Sequence, residues 1–160
     1  MRLLIAAVGR LKQGPERDLF AQHLTRAEAA GRALGLIPVA VTEIAESKLK
    51  SEALRLKAEA DLLLAKIPAS HRVISLERTG KSIGSEAFAK LIAKHRDGGA
   101  QGLAFLVGGA DGLGDEALAR SDEVLSLSAM TFPHALARIV LAEQVYRAMT
   151  ILSGHPYHRA

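Results

Sequence analysis

The segment His134 to Leu152 constrains the fold more than any other part of this chain. Ile139, Val140, Ala142, Val145, Ala148, Met149, Ile151 and Leu152 wrap almost the whole circumference of a helix closed by Gly154 and Pro156. Arg138, Glu143 and Arg147 are its charged exceptions. A helix that is apolar all round has to be covered on more than one side. The expected covers are a sheet and a second copy of the chain, with a central core helix in a monomer as the alternative.

The sheet is legible in the short apolar runs that precede that helix. Arg2 to Val8 reads as a buried strand bounded by Gly9, followed by a helix that opens at Pro15 and carries Leu19, Phe20, Leu24 and Ala27. Leu36 to Ile44 is a second strand candidate, and a charged helix from Glu46 to Lys66 stops at Pro68. Arg72 to Leu76, Leu103 to Val107 and Glu123 to Leu127 give three more strands, separated by helices at Glu86 to Arg96 and Asp115 to Arg120. Strands alternating with helices predict one α/β domain, residues 1–160, with a largely parallel sheet.

At 160 residues and 49% hydrophobic, the chain can bury a core without staples. It has no cysteine, which removes disulfides, thiolate metal sites and a thiol nucleophile, and fits a cytoplasmic location. The apolar opening ends at Gly9, Arg10 and Lys12, too soon for a membrane span or a signal peptide. A net charge of +4 favours a polyanionic partner. With aromatics at 4% and no tryptophan, a module that stacks bases on several rings is disfavoured.

Three stretches carry candidate chemistry. Arg78-Thr79-Gly80-Lys81-Ser82 follows a strand and precedes a helix, as a phosphate-cradling loop does, but Ser75 stands where that motif needs its first glycine. A polar turn at a sheet edge is the simpler reading. Gly108-Gly109-Ala110-Asp111-Gly112 leaves the most apolar strand directly, so backbone can approach a ligand there; its spacing is not the dinucleotide fingerprint. His155-Pro156-Tyr157-His158-Arg159 gathers two imidazoles, a phenol and a guanidinium, a set suited to phosphate and base recognition. Pro156 breaks the helix that would align the histidines on a metal, so no metal site is expected.

Phe105 to Gly112, Leu125 to His134, Glu143 to Ala148 and His155 to Arg159 together resemble the ribosomal RNA large subunit methyltransferase H family, within the knotted SPOUT methyltransferases. Ala110 and Ala135 stand where many relatives carry proline. The resemblance implies a C-terminal trefoil knot, a homodimer, S-adenosyl-L-methionine as methyl donor, and methylation of N3 of a pseudouridine in helix 69 of 23S rRNA on the assembled ribosome. Carried over residue by residue, it places the cofactor against Leu76, Gly108, Gly109 and the loop Ser128, Ala129, Met130, Thr131, Phe132 and Pro133. His134, Tyr157, His158 and Arg159 become the catalytic candidates, with Arg159 as anion or phosphate clamp. A non-catalytic ribosome-binding protein is the alternative, and a nucleoside triphosphatase built on Gly80-Lys81-Ser82 is a third class.

Overall fold

A computed structural model describes residues 1–158. The elements run β1 (Arg2–Val8), α1 (Pro15–Gly31), a 3-10 turn (Arg32–Leu34), β2 (Val39–Ile44), α2 (Glu52–Leu64), β3 (His71–Ser82), α3 (Ser85–Asp97), β4 (Gly102–Val107), α4 (Asp115–Arg120), β5 (Glu123–Ser126) and α5 (His134–Leu152). All strands pair in parallel, in the order β2-β1-β4-β3-β5. The α/β class and parallel sheet expected from the alternation are therefore present.

Side-chain alternation along the strands builds two cores. Leu3, Ile5 and Ala7 of β1 join Leu103 and Phe105 of β4 beneath α1, α3 and α5, where the Phe88 and Phe105 rings meet at 5.6 Å. Ala6, Val8, Val73 and Leu106 pack on the opposite face with Ala60 and Leu63 of α2 and Ala117 of α4. Since β4 is buried along its whole length on both faces, it reads in sequence as a continuous apolar run.

α5 lies on the first of these faces between α1 and α3. It buries Ile139, Leu141, Ala142, Val145, Ala148 and Met149. The chain thus covers most of the helix itself, and its apolar circumference does not by itself require a second copy.

Three boundaries differ from the sequence expectation, each because side chains engage the backbone. Leu36 is not in β2: its N–H donates to Gly31 O at 2.9 Å, and the strand starts at Val39, whose N–H donates to Glu28 Oε2 at 2.6 Å. Residues 46–51 are not helical. The N–H of Ser47 is taken by Glu59, and the carbonyls of Leu49 and Lys50 are held by Arg55, so α2 begins only at Glu52. β3 runs on past Leu76 to Ser82, so the Arg78-to-Ser82 stretch lies within a strand and not in a phosphate-cradling loop before a helix. Both Leu76 and Lys81 pair with Leu125, so the residues between them bow out of register. The chain returns at Gly80, where a Cβ would sit 2.6 Å from the Leu125 backbone.

Candidate functional site

Open parallel sheets place ligands outside the carboxyl ends of their strands. Here that edge carries a cavity of about 740 Å³, within the range of small-molecule sites. The bowed part of β3 gives Leu76, Glu77 and Arg78 to one wall, and the loop after β4 gives Gly108 to Gly112 to a second. The crossover from β5 to α5 closes the third with Ser126 to Ser128, Met130 to His134 and Ala137.

The glycine loop is a tight hairpin. Gly112 has φ +87° and donates its N–H to Gly109 O at 3.2 Å; only glycine takes that backbone conformation freely. A Cβ on Gly108 would lie 2.3 Å from Gly112 O, and one on Gly109 would press on Val8 Cγ1 at 3.0 Å. Gly109 therefore lets the loop seat on the core behind it, and a Cβ there would meet Val8 and Glu59. α2 holds the loop from outside, with Arg55 Nε 2.8 Å from Asp111 Oδ2 and Glu59 buried beside Gly109.

Of the residues expected to meet a cofactor, Leu76, Gly108, Gly109, Ser128, Met130, Thr131, Phe132 and Pro133 line this one cavity. Ala129 does not; its place in the loop is exposed. Ser128 Oγ accepts the Met130 N–H at 2.9 Å and Ser128 O accepts from Ser126 Oγ at 2.9 Å, which shapes the loop locally. His134 opens α5 and lines the cavity, so the amino end of a long helix also faces it.

Tyr157 and His158 lie elsewhere. The Tyr157 ring packs on Tyr146 at 4.7 Å and under the Arg147 guanidinium at 4.9 Å, and its hydroxyl donates to Glu143 Oε1 at 3.3 Å. Burial, then the Glu143 carboxylate, push the phenol above its ordinary pKa, so at neutral pH it is a donor and not a base. His158 Nε2 sits 3.6 Å from Glu86 Oε1 of α3. Neither touches the cavity of its own chain, and Arg159 falls outside the described residues.

Sequence reasoning missed Glu77, Arg78, Asp111, Ser126 and Ala137 among the lining residues. Asp111 was visible inside the glycine loop, and Arg78 inside the polar stretch weighed for phosphate. Ser126 lay within the Leu125-to-His134 stretch that carries the resemblance, and Ala137 carried no signal. No group of metal-ligating side chains occurs among the described residues, and no helix among them is long and apolar enough to cross a membrane.

An α/β sheet with a glycine-walled cleft at its carboxyl edge defines a small-molecule-binding enzyme frame. The chain belongs to the SPOUT methyltransferases: the family described as "Predicted SPOUT methyltransferase" matches residues 1–158. It is 49% identical over 160 residues to the Ribosomal RNA large subunit methyltransferase H of Xanthobacter autotrophicus, covering all of both chains. Proteins of the same name from Methylocella silvestris and Rhizobium leguminosarum are each 48% identical over 159 residues, covering 99% of either chain.

Proposed function

We propose that this chain is a cytoplasmic, S-adenosyl-L-methionine-dependent methyltransferase that methylates N3 of a pseudouridine in helix 69 of 23S rRNA on the assembled ribosome. The observation that carries this reading is the single cavity into which the glycine loop and the crossover loop converge. Its walls fit the donor. Leu76, Leu127, Phe132 and Pro133 offer apolar surface for an adenosyl group, Glu77 and Asp111 offer anions to its cationic groups, and Arg78 offers a cation to its carboxylate. When bound, the donor supplies an electrophilic methyl group.

The protein's share is positioning and charge. The N3 proton has to leave as the new N–CH₃ bond forms, so a base or a cation that stabilises the uracil-like anion accelerates the reaction. His134 is the candidate for that work, at the cavity-facing end of α5. Tyr157, His158 and Arg159 belong to the same proposal through a homodimer, in which the tail of one copy completes the cavity of the other. Met130 at 75% and Phe132 at 37% exposure leave two large apolar side chains open at that cavity, as a copy-to-copy contact needs. The trefoil knot is part of this reading, as the family resemblance implies.

Calorimetry and rRNA mass analysis test it together. Saturable S-adenosyl-L-methionine binding is expected, with one methyl group missing from 23S rRNA of cells lacking the gene and restored by the purified protein on their ribosomes. Ribosome binding without cofactor binding would favour the non-catalytic alternative.

A further inference from the structure

We infer that the amino edge of the sheet carries a second anion site, which takes a backbone phosphate of the RNA whose base enters the methyl-transfer cavity. The inference rests on the ribosomal RNA reading above. Its structural basis is independent of the first cavity.

Arg2, Gly102 and His71 are register partners across β1, β4 and β3. Because Gly102 has no side chain, the His71 imidazole occupies its place; a Cβ there would lie 2.2 Å from Nε2. His71 is 6% exposed, and its Nδ1 has no hydrogen-bond partner among the described residues. Beside it opens a cavity of about 620 Å³, lined also by Arg72, Lys94, His95, Arg120 and Asp122.

Positive charge exceeds negative around this space. Asp122 meets Arg72 at 2.9 Å and Arg120 at 3.8 Å while also accepting the Val73 N–H at 2.7 Å, and Glu123 faces His95 at 3.7 Å. Lys94 and Arg2 form no ion pair among the described residues. Among the lining residues, three permanent cations, Arg72, Lys94 and Arg120, thus answer one carboxylate, Asp122. Lys94 and His95 sit in the last turn of α3, where they also complement the helix dipole. That accounts for neither Arg72 nor Arg120, which line the same space from β3 and α4, while Arg2 adds a cation at the register level of Gly102 and His71.

A polyanion fits better than a small anion because of where the site lies. The paired stretch from His71 to Leu76 separates it from the methyl-transfer cavity, about 17 Å, a span that a few nucleotides or one duplex width covers. Phosphate contacts of this kind fix the register of a nucleic acid without reading its bases.

The test is the double variant Arg2→Glu/Lys94→Glu, at two exposed positions, measured for binding to ribosomes over a salt series. S-adenosyl-L-methionine affinity and the turnover rate at saturating ribosomes should stay unchanged. Ribosome affinity should fall about tenfold or more, with the slope of log affinity against log salt smaller by about 1 to 2. The charge-conserving Arg2→Lys/Lys94→Arg should behave as wild type. Equal affinity and slope in wild type and the Glu variant would overturn the inference. So would binding of inorganic phosphate at His71 with ribosome affinity insensitive to the Glu variant, which would mark a small-molecule site. Wild-type protein that binds neither ribosomes nor 23S rRNA would instead bring down the reading beneath it.

Discussion

Arg138 is the largest side chain wholly removed from solvent. Its guanidinium donates to the Val8 and Gly9 carbonyls at the end of β1 and lies 2.7 Å from Glu43 Oε1, which also accepts the Leu11 N–H. One residue of α5 therefore ties the carboxyl ends of β1 and β2 to the helix that walls the cavity. Removing one partner of such a cluster leaves buried polar groups unanswered. Arg138→Ala should lower the unfolding free energy by about 3–5 kcal/mol, read from urea midpoints. In the sequence, Arg138 was only a charged exception on an apolar helix, since nothing local shows that β1 carbonyls wait for it. Asp122 gives a second test. Burial opposes its ionisation, but the Val73 N–H with Arg72 and Arg120 outweighs it and holds the carboxyl below the ordinary 3.8. A depressed folded pKa means that the stabilisation is complete above that ordinary value and is lost as pH falls through the folded one. Asp122→Asn should therefore flatten the acid branch of a stability-against-pH curve while leaving the loss of stability at alkaline pH as it is.

At the scale of elements, the strands and long helices were readable because their apolar spacing is set by burial, and β1, α1, α4 and α5 begin and end at or near the expected residues. What was not readable depended on partners distant in sequence: the irregular 46–51 stretch needs Arg55 and Glu59 from α2, and the extension of β3 needs β5. The glycine loop was identified as a cavity wall, while the reason for Gly109 lay behind it in Val8. Gly109→Val should consequently weaken S-adenosyl-L-methionine binding by displacing the loop, with calorimetry on the folded variant as the measure; unchanged affinity would remove the loop from the site. The tail makes a sharper case. Tyr157 docks at Glu143, nine residues beyond His134, about 14 Å along the helix axis. Deleting Tyr157 to Ala160 should accordingly leave cofactor affinity within a few-fold. Methylation of ribosomes should fall about 10²-fold or more, the loss expected when an electrostatic stabiliser is removed.

Taken as a whole molecule, one copy holds a cofactor-sized cavity at one end of α5 and its tail against the middle of that helix. Both sets of groups can serve one reaction only if the tail of one copy reaches the cavity of another. A two-fold dimer meets that condition twice, because each surface patch is repeated in the partner. Met130 and Phe132, exposed at the cavity, and Leu136, exposed on α5, offer apolar surface for such a contact, and sedimentation at micromolar concentration should show twice the chain mass. Subunit mixing then separates this arrangement from a dimer in which each copy works alone. A chain lacking Tyr157 to Ala160 keeps its cofactor site, and a Gly109→Val chain keeps its tail. Random pairing of equal amounts puts half of the dimers in the hybrid form, where one of the two cavities has an intact cofactor site and an intact tail from across the interface. Two nearly inactive proteins should thus recover about one quarter of wild-type methylation when mixed, on the time scale of subunit exchange followed by a labelled chain. With exchange demonstrated and no recovery, the tail would act within its own copy.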